Sequence, residues 1–374
     1  MKQTIIGILG GGQLGKMLIL EGLHFDLQFR VLDPDPLAPC HVFSGFTAGS
    51  ITDYDTVMDF GKGCDILTIE IENVNVEALR DLAAQGKKVF PQPEAIALIQ
   101  DKRLQKKFYE EHGFSTAPFV LTGNRSEVQQ HVHLLPAVHK LGREGYDGRG
   151  VQIIRSADEL HLAFDAPAVL EKFIDCSAEL AVIAARNEKG EVRTFPPVQM
   201  VFHPEKNLVG YLFSPAQVDE PIRNRAGELA RSLIERLGVV GLLAVEMFVT
   251  TDGNVLINEV APRPHNSGHH TLEGNITSQY EQHLRAIMGW PLGDTSIIRP
   301  SAMINLLGEP GYAGPARYVG LEEVLQLNGV YVHLYGKLHT RPFRKMGHVT
   351  VTDEDMEQLR QKADFVKKTL KVIA

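Results

Sequence analysis

Residues 241–270, GLLAVEMFVTTDGNVLINEVAPRPHNSGHH, constrain the fold more tightly than any other stretch of the chain. Two apolar runs flank Asp252-Gly253, a dipeptide that favours a two-residue hairpin turn of the primed type, in which both central residues need positive φ. Such a turn pairs Thr251 with Asn254, and counting outward places Glu246 directly opposite Glu259. Cross-strand neighbours sit about 4.5–5.5 Å apart at Cβ, where like charges repel. Glu246 also interrupts the apolar run 242–248, where an uncompensated carboxylate is costly. Either the two glutamates meet on a solvated sheet face, or something neutralises them. A divalent cation such as Mg²⁺ suits the second reading, because it is commonly held by one or two carboxylates together with nucleotide phosphate oxygens.

Upstream, the pattern is that of a parallel α/β unit. A short apolar strand over residues 4–9 runs into Gly10-Gly11-Gly12-Gln13-Leu14-Gly15 and a helix to about residue 23; a second strand, 27–32, ends in Asp33. Glycines 10, 12 and 15 fit the GxGxxG dinucleotide fingerprint, with an acidic residue 18 positions beyond the last glycine. Three readings stay open: a nicotinamide dinucleotide, another anionic or polar ligand on the helix N-terminus, or glycines that serve close packing alone. The alternation continues with a helix 54–62, a strand 65–69, a helix 76–85 and a strand 88–90, and ends near Gln100. Glu70-Ile71-Glu72-Asn73 falls at the carboxyl end of the third strand, where open α/β sheets bind ligands. Solvated loop charge is the alternative there.

A charged helix over 101–112, with Lys102 in its first turn, separates this unit from a β-rich region. Strand 137–141 carries Lys140 and leads into Gly142-Arg143-Glu144-Gly145-Tyr146-Asp147-Gly148-Arg149-Gly150. Four glycines in nine residues let a backbone wrap closely over phosphates; a plain hairpin loop is the competing reading. Strands 169–174 and 179–183, a turn at Glu188-Lys189-Gly190 and a helix 220–236 follow. Beyond the glutamate hairpin come a helix 277–288, a β-rich segment from about Ile297 and a final helix 354–370. Within that segment, residues 337–345 hold four Lys and Arg side chains and a histidine in nine positions beside a strand 330–335. They suit a phosphate dianion or form a solvated basic turn.

Composition narrows the classes further. The chain has 374 residues, 44% hydrophobic and 22% charged, enough for two or three domains. Its net charge of −8 and pI near 6.0 exclude a general affinity for nucleic acid or anionic membranes. Cys40, Cys64 and Cys176 lack metal-ligand spacing and read as reduced thiols of a cytosolic protein. Neither a signal peptide nor an apolar run long enough to span a bilayer is expected.

The ordered set Lys140, the glycine loop, Glu171-Lys172-Phe173-Ile174, Glu179, Glu246 and Asn258-Glu259 resembles the ATP-grasp superfamily, whose members activate a carboxylate as an acyl phosphate. Four blocks are similar to the 5-(carboxyamino)imidazole ribonucleotide synthase family of purine biosynthesis: residues 10–15, 145–150, 263–269, and Tyr335-Gly336-Lys337 with residues 344–348. The resemblance spans essentially the whole chain. It implies an α/β ATP-grasp fold with a Rossmann-like pre-ATP-grasp domain (1–100), an ATP-grasp domain (101–298) and a small β-rich C-terminal cap (299–374). It implies ATP and Mg²⁺ as cofactors, bicarbonate and 5-aminoimidazole ribonucleotide as substrates, and a cytoplasmic homodimer. The implied reaction gives the N5-carboxylated ribonucleotide, ADP and phosphate by way of carboxyphosphate.

By family position, Lys102 and Lys140 contact the ATP phosphates, and Gly145, Tyr146, Asp147, Gly148, Arg149 and Gly150 close over them. Glu171, Lys172, Phe173 and Ile174 form the adenine hinge, largely through backbone groups, and Glu179 takes the ribose hydroxyls. Asn258 and His203 neighbour the nucleotide, and Glu246 and Glu259 hold the metal. Arg263 and His265 orient bicarbonate, Tyr146 and Asp147 position the amine or accept its proton, and Arg149 is a catalytic donor toward the phosphates. Gln13, Glu72, Asn266 and Ser267 line the ribonucleotide, whose phosphate falls to Lys337, Arg344 and Lys345. Arg149 stands where family members often have lysine, Val151 where they have glutamine, and Val201 where they have asparagine. Alternatives are another ATP-grasp ligase, such as a formate-dependent glycinamide ribonucleotide formyltransferase or biotin carboxylase, a non-catalytic nucleotide sensor, and a nicotinamide oxidoreductase. The full phosphate and metal set argues against the sensor, and the lack of a second dinucleotide pattern against the oxidoreductase.

Overall fold

The structure, a computed structural model, describes residues 4–43, 45–143, 150–202 and 209–374. Its first part is a parallel sheet of β1 (Ile5–Leu9), β2 (Gln28–Asp33), β3 (Phe46–Ala48), β4 (Ile66–Ile69) and β5 (Lys88–Val89), in the order β3-β2-β1-β4-β5. The near-continuous apolar runs of β1 and β4 are what strands covered on both faces require. Helices α1 (Gln13–Leu23), α2 (Tyr54–Lys62), α3 (Val76–Ala84) and α4 (Pro93–Ile99) complete the unit. Asp53 and Asn75 cap α2 and α3 by accepting amides two residues into the first turn. Sequence periodicity misses β3 and α4. The first is three residues long and largely exposed, and the second starts on a proline with no side-chain cap to announce it.

Helix α5 (Lys102–Glu111) leads into an antiparallel sheet of β6 (Phe119–Thr122), β7 (Ala137–Leu141), β8 (Val151–Ile154) and β9 (Ala168–Lys172), ordered β6-β9-β7-β8. The glycine loop joins β7 to β8. A larger antiparallel sheet follows: β10 (Cys176–Arg186), β11 (Val192–Thr194), β12 (Val198–Phe202), β13 (Val209–Ser214), β14 (Gly241–Thr250), β15 (Val255–Ala261) and β16 (Ser301–Leu307). It runs β15-β14-β10-β12-β13-β16 and continues through the strands Lys345–Thr352 and Val330–Leu334, with β11 on β10. Leu180, Val182, Leu243 and Val245 on one face pack under Leu229, Leu233 and Ile234 of the helix Glu220–Leu237. That helix stops at Gly238, whose φ of +66° suits a left-handed cap. Because β13 pairs with β16, the strands Ser301–Leu307, Lys345–Thr352 and Val330–Leu334 lie in the same sheet as the glutamate hairpin.

The hairpin differs from the sequence expectation at its turn. Thr250 N donates to Asn254 O at 2.9 Å, and Thr251, Asp252 and Gly253 form a three-residue loop with only Gly253 at positive φ (+82°). From this start, Val249 faces Val255, and unbroken pairing would set Glu246 opposite Asn258. A β-bulge intervenes. Met247 faces Ile257 but Glu246 faces Glu259, leaving Asn258 as the extra residue. The carboxylates do meet, through a longer turn compensated by a bulge.

Candidate functional site

The bulge sets the geometry of the site. In a regular strand Asn258 and Glu259 would point to opposite faces; here Asn258 Oδ1 accepts from Lys140 Nζ at 2.8 Å and Glu259 Oε2 from Lys102 Nζ at 2.8 Å. Lys102 comes from the first turn of α5 and Lys140 from near the end of β7, so two elements converge on β15. Glu171 of β9 is buried behind them and pairs with Lys140 at 3.0 Å and Lys106 at 3.2 Å. Sequence reasoning missed Lys106, although it lies four residues after Lys102 on the same helix face. Its ammonium is absorbed internally, donating to Thr116 Oγ1 at 2.5 Å.

The two facing glutamates are electrostatically unlike. Burial and the neighbouring charges of Glu259 and Glu179 raise the pKa of Glu246, while the ammonium of Lys102 holds Glu259 low. Lys345, from the strand Lys345–Thr352, is near enough to offset part of the rise at Glu246. Glu179, on β10 beside β14, is pushed up to about 7 by burial, with Lys140 offsetting part of it. Among the described residues no cluster of three or more His, Cys, Asp or Glu stands ready to enclose an ion. Two opposed carboxylates with oxygen donors only are nonetheless the set that Mg²⁺ takes when phosphates and water complete its shell.

The loop after β15 turns toward the first domain. Arg263 Nε lies 2.9 Å from Glu72 Oε1, and its charge also acts on Glu70. His265 Nε2 lies 3.7 Å from Glu246 Oε1, and its Nδ1 is 2.9 Å from Ser267 Oγ. Asn266 exchanges hydrogen bonds with Asn305 of β16 at 2.8 and 3.0 Å, a partner with no signal in the sequence. Gln13 opens α1 on the neighbouring glycine turn.

In that turn two carboxylates of the chain take amides that a bound pyrophosphate would need. Leu14 N donates to Glu70 Oε1 at 3.1 Å and Gly11 N to Asp33 Oδ2 at 2.6 Å, so the chain's own carboxylates occupy the helix N-terminus. A Cβ on Gly12 would meet Glu70 Oε1 at 2.4 Å, and Gly10 has φ of +104°. The glycines serve the approach of Glu70, and the nicotinamide reading loses its site.

At the adenine-hinge segment the amides of Lys172 and Phe173 donate to Pro118 O (2.8 Å) and Pro136 O (2.9 Å). In the C-terminal region Lys337 Nζ donates to Lys345 O at 2.8 Å and lies 5.6 Å from the Tyr335 ring centre. Arg344 Nη1 donates to His339 O at 2.7 Å, within its own turn. Lys16 of α1 reaches Tyr335 O at 3.2 Å, joining this region to the first domain. Gly150 closes the β7–β8 loop by accepting from Leu141 N at 2.9 Å. Gly145, Tyr146, Asp147, Gly148, Arg149 and His203 lie outside the described residues. Cys40, Cys64 and Cys176 are free thiols. Among the described residues no helix is long and apolar enough to cross a membrane.

Comparison with known families matches residues 1–100 to the ribonucleotide synthetase preATP-grasp domain, 107–280 to the ATP-grasp domain, and 301–362 to the phosphoribosylaminoimidazole carboxylase C-terminal domain. The N5-carboxyaminoimidazole ribonucleotide synthase of Bacillus subtilis is 37% identical, over 93% of this chain and 91% of its own length. The structure of N5-carboxyaminoimidazole ribonucleotide synthetase from Thermotoga maritima superposes with a TM-score of 0.92 at 41% identity, covering 100% of both chains. The N5-carboxyaminoimidazole synthase of Aspergillus clavatus in complex with ADP and 5-aminoimidazole ribonucleotide gives a TM-score of 0.89 at 32% identity, covering 98% of each.

Proposed function

The chain belongs to the N5-carboxyaminoimidazole ribonucleotide synthase family of ATP-grasp ligases, and from that premise we propose how its residues divide the ATP-dependent carboxylation of 5-aminoimidazole ribonucleotide. These roles rest on the convergence of Lys102, Lys140, Asn258 and the facing Glu246 and Glu259 at one bulged hairpin. ATP lies along β9 and β10, its base against the 172–174 backbone and its ribose at Glu179. Its phosphates lie toward Lys102 and Lys140, under the 145–150 loop. Glu246 and Glu259 hold Mg²⁺, which when bound neutralises charge on the transferring phosphoryl group.

Bicarbonate is a poor electrophile, and phosphorylation to carboxyphosphate makes it a competent one. His265 lies 3.7 Å from Glu246, and Arg263, two residues before it, pairs with Glu72; from that loop the two serve as fixed donors that stabilise the developing acyl phosphate. The ribonucleotide lies between Gln13, Glu72, Asn266 and Ser267, with its amine toward Tyr146 and Asp147 and its phosphate toward Lys337, Lys345 and Arg344, while Arg149 serves the ATP phosphates. This division follows three domains, 1–100, 101–298 and 299–374. The enzyme is cytoplasmic and a homodimer; the exposed apolar side chains Leu20, Leu23, Ile276 and Ile298 support a dimer, because Ser278 Oγ bonds Glu21 at 2.9 Å and draws their segments together.

The test is ADP release with bicarbonate, with and without the aminoimidazole ribonucleotide. Release that needs Mg²⁺, rises strongly with the ribonucleotide and ignores formate or biotin is the expected result. Equal release with formate would move the activity to a formyltransferase, and no turnover would leave a nucleotide sensor.

A further inference from the structure

The helix Gln279–Ile287 begins directly behind the loop that carries His265, and its first residue is fully buried. The Gln279 carboxamide spans both peptide groups of His265: Oε1 accepts from His265 N at 2.9 Å and Nε2 donates to His265 O at 2.8 Å. Nε2 also lies 3.2 Å from His269 Nδ1. Gln279 is itself anchored, its amide donating to Thr271 Oγ1 at 2.8 Å, while that hydroxyl donates to Gly268 O at 2.6 Å. A Cβ on Gly268 would lie 2.4 Å from Gln279 Oε1, so the glycine of this loop is what admits the carboxamide.

A side chain that satisfies both main-chain groups of one residue fixes that residue as a strand partner would. The residue so fixed carries the imidazole 3.7 Å from Glu246. We propose that Gln279 is a positioning residue for the carboxylation, holding the His265 backbone so that its ring faces the metal carboxylates and the bicarbonate. The proposal rests on the role given to His265 above. The fold supplies a matched control three residues on. Gln282, equally buried, makes the same two-point clamp on Gly293, accepting from its N at 2.7 Å and donating to its O at 3.0 Å, on a loop outside the site.

Steady-state kinetics of the full-length enzyme with Gln279→Met, Gln282→Met, His265→Ala and the Gln279→Met/His265→Ala double variant test it. A displacement of about 1 Å in a reacting group costs on the order of 100-fold in rate, so kcat of Gln279→Met should fall by about 100-fold with the KM for ATP within about 2-fold. Gln282→Met should keep kcat within about 2-fold, and Gln279→Met should cost less than about 3-fold when added to His265→Ala, as expected for groups acting as one unit. Gly268→Ala, which pushes the carboxamide away, should reproduce the kcat-selective loss. If Gln279→Met does not fold, Gln279→Glu, which keeps the accepting half of the clamp, carries the same comparison. Equal losses in Gln279→Met and Gln282→Met, losses that multiply with His265→Ala, or unchanged kcat overturn the proposal. Wild-type turnover in His265→Ala sinks the role of His265 separately, and a kcat loss in Gln279→Met would then show a route other than the one proposed.

Discussion

Glu246 and Glu259 face each other, yet their surroundings set them apart: Lys102 sits on one, and burial plus like charge weighs on the other. On the proposed Mg²⁺ role of this pair, both Glu246→Gln and Glu259→Gln should lose at least about 100-fold in turnover. Their stabilities in EDTA should diverge. Glu246→Gln relieves a repulsion and should match or exceed the parent melting temperature by about 2 °C, whereas Glu259→Gln strips Lys102 of its partner and should fall below it. The reverse order would show that Glu246 holds the fold rather than a cation. At Glu179 the prediction concerns pH. With its pKa raised to about 7 the carboxyl is mostly protonated at pH 6 and mostly ionised at pH 8. A ribose hydroxyl donates better to the ionised form, so the KM for ATP should fall as pH rises across that interval, by roughly 10-fold at most. Glu179→Gln should flatten that dependence, and a slope that survives the substitution would assign it to another group.

Elements, rather than residues, explain why adjacent side chains on β15 reach the same site. A three-residue turn with unbroken pairing would give one side chain to that face at Glu246; the bulge gives two, Asn258 and Glu259. Deleting Asn258 should restore regular pairing and leave the glutamates opposed, while removing the acceptor that aims Lys140. The lost charge-assisted hydrogen bond is worth about 1.5–3 kcal/mol, hence roughly a 10- to 150-fold rise in the KM for ATP with the Mg²⁺ requirement intact. Loss of the Mg²⁺ requirement would mean that the deletion turned Glu259 away. The glutamate pairing was legible in the sequence, but the turn that produces it was not, since Asp-Gly suits both two- and three-residue loops.

Across the whole molecule, the strand Lys345–Thr352 joins β16 in the sheet that also holds the glutamate hairpin, and Lys16 ties α1 to Tyr335. This continuity brings Lys345 near Glu246, where its charge offsets part of the rise in that carboxyl's pKa. Lys337→Ala and Lys345→Ala should each raise the KM for the aminoimidazole ribonucleotide roughly 10- to 150-fold, by the loss of a charge-assisted contact to its phosphate. Arg344→Ala should raise it comparably, because Lys337 and Arg344 each give a backbone carbonyl one donor of the several that each carries. For Lys337→Ala the KM for ATP should stay near the parent value. Equal weakening of both substrates there would return this stretch to a structural role.

By itself the sequence determined the alternation of the first domain, the facing glutamates, the lysines of α5 and β7, and the order of the blocks that mark the family. These are local or periodic signals, written in side-chain spacing and turn chemistry. Tertiary structure alone decided that Glu70 fills the glycine turn where a dinucleotide would have bound, that Lys106 pairs with Glu171, and that Gln279 grips His265. Glycines before a helix look the same whether a phosphate or a carboxylate 56 residues away approaches them. A buried glutamine in a helical pattern carries no mark of the backbone it will hold. Which partner arrives depends on how distant segments pack, and one-dimensional spacing does not encode it.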